Sequence, residues 1–226
     1  MFLIFLLFVA LFADDKIFIK GGEYFIPYSK GFYTHSFKSK KIKIDSFYID
    51  KYEMSYDRLP KNMKNLIPTY ILQYGYKEDL ALPVTNITYK QALEVCKKMG
   101  GDLPTENEWI VAAAFDKKFY PYATKQYPLA KNDINIKKQY SLDGYMPQII
   151  VSVYNSLIGN HSIFGMLGNV WEMTKSDGKY VLVKGGSFFD YDKVELLDVR
   201  VRNYVLKKDV ASRLEIGFRC VYKVKK

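Results

Sequence analysis

Phe164-Gly165-Met166-Leu167-Gly168-Asn169-Val170-Trp171-Glu172-Met173-Thr174, with Val183-Lys184-Gly185-Gly186-Ser187-Phe188 close behind, is the stretch around which this 226-residue chain is organised. It carries one of only two tryptophans, a carboxylate beside the indole, and glycines at two closely spaced sites. Glycines so placed mark backbone that turns sharply or approaches another group closely. An indole next to a glutamate forms either one wall of a pocket or a buried aromatic with a satisfied N–H. The neighbouring motifs decide what the stretch belongs to.

Working outward, the length suits one large domain or two small ones, either able to bury a full core. Apolar residues make up 49 % and aromatics 16 %, which describes a globular chain. No internal repeat or low-complexity linker divides it, so a single domain over 14–226 is expected. The net charge of +10 is carried mostly by lysine, because only five of the 34 basic residues are arginine. There is no arginine-rich helix and no aromatic–basic nucleic-acid motif, so nucleic acid is not an expected partner. The charge reads as solubility and affinity for anionic envelope polymers. Four of the five arginines (Arg200, Arg202, Arg213 and Arg219) fall near the C-terminus, where planar bidentate pairing is expected.

Residues 1–13 are apolar from Phe2 to Ala13. That run is short for a bilayer span and suits a signal peptide cleaved after Ala13. The expectation is a periplasmic or secreted chain without a membrane span once mature; an uncleaved N-terminal anchor is the alternative. Cys96 and Cys220 are the two cysteines. In an exported protein they read as a candidate disulfide, in the cytosol as two free thiols. Closing so long a loop stabilises by roughly 3–5 kcal/mol in the chain-entropy model.

Residues 17–28 read as a hairpin around Gly21-Gly22, and 41–50 alternate as one half-buried strand. A short helix is expected over 61–72. Thr88-x-x-Gln91 is a capping box leading into Ala92, Leu93, Val95, Cys96 and Met99 at helical spacing, stopped by Gly100-Gly101. Thr105-x-x-Glu108 opens a second helix through Trp109, Ile110, Ala112 and Ala113. Glu106 and Glu108 therefore read as helix-start carboxylates, not catalytic ones. Long loops are expected over 116–160, then strands at 179–189 and 216–222. Between them lies an acidic run, Asp190 to Asp198.

In order along the chain, the motifs are Gly21-Gly22-Glu23-Tyr24-Phe25, then Phe47-Tyr48-Ile49-Asp50-Lys51-Tyr52-Glu53-Met54-Ser55. Leu103-Pro104-Thr105-Glu106-x-Glu108-Trp109 and Gly168-Asn169-Val170-Trp171-Glu172 follow, and Gly185-Gly186-Ser187 and Gly217-Phe218-Arg219 complete the series. The series resembles the formylglycine-generating enzyme, or sulfatase-modifying factor, family over residues 17–224. The resemblance implies an irregular α+β domain, distantly like C-type lectins and low in regular secondary structure. It also implies a disulfide between Cys96 and Cys220. A calcium site would lie at Gly168, Val170 and Glu172, with Gly165 standing where an Asn or Asp ligand is usual. Trp171 and Arg202 are expected beside a pocket.

The oxidase members of the family bind copper through two cysteines shortly after the Gly-Gly-Ser. Here no cysteine lies between Ser187 and Arg219, and Asp190 and Glu195 take those places. Carboxylates do not supply the soft thiolate that copper(I) requires, so no copper is expected. His35 and His161 are too few for a three-histidine iron site, and neither Ser187 nor Ser212 has an adjacent His motif. Two readings remain. One is a binding or assembly module in the cell envelope with a protein or glycan partner. The other is a cysteine-independent periplasmic oxidoreductase or maturation enzyme, with Glu195, Asp190 and Ser187 as its candidate groups. Against the second stands a plain solvated loop, or pairing of these acids with Arg200 and Arg202. Asp102, where the family has Arg, implies a lost or reversed salt bridge.

Overall fold

In the computed structural model, the residues described are 15–28, 38–74, 77–116, 118–119, 160–190 and 198–224. The signal-peptide expectation over 1–13 lies outside them, as do His35, Glu195 and most of the expected loop region.

Strands β1 (Lys16–Ile19), β2 (Gly22–Tyr28), β3 (Lys38–Ile44) and β4 (Phe47–Asp50) open the described chain. Helices α1 (Thr69–Tyr74), α2 (Tyr89–Lys98) and α3 (Glu106–Ala114) follow, then the short strands β5 (Phe115–Asp116) and β6 (Lys118–Phe119). The C-terminal part holds β7 (Trp171–Met173), β8 (Tyr180–Lys184), β9 (Asn203–Leu206), β10 (Ile216–Gly217) and β11 (Val221–Lys223). Among the described residues, small sheets joined by irregular chain, with three α-helices, make this an α+β fold.

The expected hairpin over 17–28 is not formed. β1 pairs antiparallel with β4, whose other edge takes β11, while β2 pairs antiparallel with β3. Gly21 marks the parting. A Cβ there would lie 2.4 Å from the Ser46 nitrogen, and its own N–H donates to Ser46 Oγ at 2.8 Å. The two strands are thus wedged against the Asp45-Ser46 turn instead of folding on each other. That turn also splits the strand expected over 41–50 into β3 and β4. Over 61–72 the chain forms a 3₁₀ turn at Lys61–Leu66 and then α1, because Pro68 follows Ile67, which is extended. β8 stops at Lys184, since Gly185 turns left-handed at φ 95°.

The two capped helices form as expected. Thr88 and Gln91 close a reciprocal box, and the Thr105 N–H and hydroxyl both donate to Glu108 Oε2 at 2.7 and 2.8 Å. Each helix organises one of two core clusters. Around α2 gather Met54, Val84, Val95, Cys96, Trp171, Met173, Phe218 and Cys220. Around α3 gather Ile19, Ile26, Ile49, Trp109, Ile163, Met166 and Val199. Burying one such side chain is worth about 1.5–3 kcal/mol. Cys96 and Cys220 are bonded to each other and fully buried, which ties α2 to the approach of β11 across 124 positions.

Candidate functional site

The two halves of the signature stretch fold onto each other. Gly168 N–H donates to the Gly185 carbonyl and Phe188 N–H to the Asn169 carbonyl, each at 2.9 Å. Between the two core clusters runs a fully buried polar seam. Glu172 accepts from Arg219 Nε at 2.7 Å and Nη2 at 2.6 Å, and from the Trp109 indole N–H at 2.8 Å. Arg219 spends its remaining N–H groups on the carbonyls of Asp50, Lys51 and Phe164. Asp50, also buried, accepts from Arg58, the Cys220 N–H and the Tyr222 hydroxyl. A planar guanidinium fits this bidentate role and a lysine would not.

Glu53 is the seam's least balanced charge. Its carboxylate accepts from Asn169 Nδ2 at 2.7 Å and the Val170 N–H at 3.4 Å. Burial first, then the charge of Glu172, push its pKa up to about 8, despite Arg219 and those two donors pulling it down. Gly165 explains how it fits. At φ 71° its missing Cβ would lie 2.7 Å from the Glu53 carboxyl carbon, so the glycine leaves the space that Glu53 fills.

Calcium at Gly168, Val170 and Glu172 does not fit these residues. Both Glu172 oxygens are taken by Arg219 and Trp109, and Gly165 offers no side-chain oxygen. The groups nearest Glu53 and Glu172 are N–H donors, which favour carboxylates over a cation that wants six to eight oxygens. Among the described residues no cluster of three or more His, Cys, Asp or Glu could hold a metal ion.

Ser187 and Asp190 are brought together. The Ser187 hydroxyl and N–H both donate to Asp190 Oδ2, at 2.7 and 2.9 Å, and Ser187 Oγ accepts from the Phe189 N–H. Both are buried and close the 3₁₀ turn at Phe188–Asp190, a local capping arrangement. Trp171 is enclosed in the α2 cluster, and Arg202 forms a bidentate pair with Glu106. Residues 191–197 of the acidic run lie outside the described residues. Arg200 does pair with an acid of the run, Asp198. Asp102 gives the reversed salt bridge, accepting from Lys97 at 2.6 Å and Lys175 at 2.9 Å.

Lys184 was not singled out by sequence reasoning. It is fully buried; its ammonium donates to the Val201 carbonyl at 2.6 Å and stands 3.9 Å from Glu106. Burial lowers its pKa to about 8 against the opposing pull of Glu106. Its place one residue before Gly185-Gly186 was the only signal.

The sulfatase-modifying factor enzyme 1-like domain model matches residues 10–224. The chain belongs to that family. Within the sulfatase-modifying factor family it is 28 % identical over 160 residues to the bovine (Bos taurus) protein named inactive C-alpha-formylglycine-generating enzyme 2, covering 65 % of this chain and 52 % of that protein. It is 23 % identical over 164 residues to the mouse (Mus musculus) formylglycine-generating enzyme, covering 61 % and 43 %. The chain thus spans about half the length of these curated relatives. The fold is similar to the crystal structure of CarF, with a TM-score of 0.65, 17 % identity, and coverage of 93 % of this chain and 98 % of that one.

Proposed function

We propose that this chain is a non-catalytic member of the sulfatase-modifying factor family, acting as a binding or assembly module in the cell envelope. The observation that carries the reading is the state of its cysteines. The only two in the sequence are joined in one fully buried disulfide, which leaves no thiolate for copper and none for cysteine oxidation. Similarity to a mammalian relative named inactive supports it. So does the commitment of Ser187 and Asp190 to each other, which takes two of the three candidate catalytic groups into a structural turn.

Export of the chain through its apolar N-terminus, and residence in the periplasm or outside the cell, belong to the same reading. A buried disulfide suits an oxidising compartment. Among the described residues no helix is long and apolar enough to cross a membrane. The module needs no copper and no calcium.

The test is to incubate the disulfide-bonded chain with copper, oxygen and a cysteine peptide of the sulfatase type. The expected outcome is no oxygen consumption and no aldehyde product, while the same preparation retains a stoichiometric partner from an envelope fraction. Turnover of the peptide, or oxygen uptake dependent on an envelope metabolite, would overturn the reading.

A further inference from the structure

A cavity of about 520 Å³ opens at the end of β3, away from the Gly165–Asp190 region. Three parts of the chain far apart in sequence build its polar wall. They are the end of β3 and its turn to β4 with Lys43, Asp45 and Ser46, the first turn of α3 with Asn107 and Glu108, and the end of β11 with Lys223. The volume falls in the range of roughly 300–1,000 Å³ that takes small ligands.

Among the described residues, several of these groups have no side-chain partner. The ion pair on β3 joins Glu23 to Lys41, so Lys43 is left out of it, and Lys223 pairs with no carboxylate among the described residues. Asp45 and Asn107 likewise make no side-chain bond there. Glu108 uses Oε2 for the cap of α3 and keeps Oε1 for other work. The helix end is therefore already closed by its own box, and the two lysines are the anion-binding elements.

The wall carries both signs, two cations with two carboxylates, an amide and the hydroxyls of Ser46 and Thr105. A bare anion would meet Asp45 and Glu108, and an apolar ligand would leave Lys43, Lys223, Asp45 and Asn107 without partners. A sugar bearing a carboxylate presents what the wall lacks: one anion for the lysines and several hydroxyls for the oxygens and the amide. Beyond the cavity, the strand register sets Phe25 opposite Lys41, on the same face as Lys43. That ring is 63 % exposed, a stacking platform for the next sugar in a chain.

We propose that this cavity binds an acidic saccharide unit of an anionic glycan, with Lys43 and Lys223 on the carboxylate and Asp45, Asn107 and Glu108 on hydroxyls. The proposal rests on the binding-module reading and assigns its partner to the glycans.

The test is calorimetric titration of the intact disulfide-bonded chain with trigalacturonic acid and, separately, with neutral cellotriose. The expected result is binding of the acidic sugar, at least tenfold weaker binding of the neutral one, and at least tenfold loss in the K43A/K223A double variant. Both lysines are exposed, so the variant keeps its fold; N107A, which removes no charge, should also weaken binding. No binding of trigalacturonic acid, equal binding of cellotriose, or unchanged affinity in the double variant overturns the proposal. If the double variant still retains the same envelope partner, the cavity assignment falls while the module reading stands. Peptide oxidation overturns the module reading whatever the cavity binds.

Discussion

Glu53 and Lys184 are buried charges of opposite sign whose pKa values both move to about 8. Their effects on stability run in opposite directions. The carboxyl of Glu53 is raised from an ordinary 4.5, so its stabilising proton is fully bound at low pH and lost as pH rises to about 8. Lys184 is lowered from 10.5, so its contribution is complete above that value and lost as pH falls to about 8. Stability should pass through a minimum near pH 8, with limbs of up to about 1.4 kcal/mol per pH unit. Thermal melts of E53Q and K184M should each flatten one limb, E53Q the acid one. A profile unchanged in both variants would refute the assignment. Arg219→Met, which strands Glu172 without a countercharge, should cost about 3–5 kcal/mol in urea unfolding. Gly165→Ala must place a Cβ against the Glu53 carboxyl at a left-handed φ, and a loss of about 2–3 kcal/mol is expected in the same assay.

Among the elements, the helices were legible and the strands only partly so. A capping box is local chemistry: Thr105 and Glu108 find each other within one turn whatever lies beyond. Thr105→Ala should therefore cost about 1 kcal/mol, with α3 amides exchanging faster than those of α2 in hydrogen exchange. Equal exchange in both helices would place the helix's stability in its packing alone. The strands depend on partners the sequence does not name. Gly21-Gly22 between two apolar runs reads as a hairpin, yet β1 finds β4 and β2 finds β3, because the Asp45-Ser46 turn fills the space the hairpin would close into. At the end of α2 the reading was better. A Cβ on Gly101 would strike the Val221 carbonyl at 2.5 Å, so the helix stop also makes the seat for β11.

For the whole molecule, a covalent tie and a fully buried ionic tie sit side by side before β11 and join distant segments. The disulfide joins α2 to the chain just before β11, and Arg219 beside it joins Glu172 to the carbonyls of Asp50 and Lys51 at the end of β4 and of Phe164. Reduction in urea should lower the unfolding free energy by about 3–5 kcal/mol, while the folded protein resists mild reductant because both sulfurs are buried. Adding calcium or a chelator should leave the melting temperature unmoved, since Arg219 and Trp109 occupy the carboxylate that a cation would need. A calcium-dependent rise of several degrees would refute that. The sequence by itself determined the family, the α+β class, the two capped helices and the lack of a copper pair, because each rests on residue identity or on neighbours within one turn. The pairing of the two cysteines it could offer only as a candidate. The tertiary structure alone decided that Trp171 is packed in the α2 core cluster, that Ser187 and Asp190 bond each other, and that Glu53 fills the space left by Gly165. It alone set Lys43 and Lys223 on one cavity. Those outcomes depend on which distant segments share a space, and burial and charge balance between segments do not exist until the chain has folded.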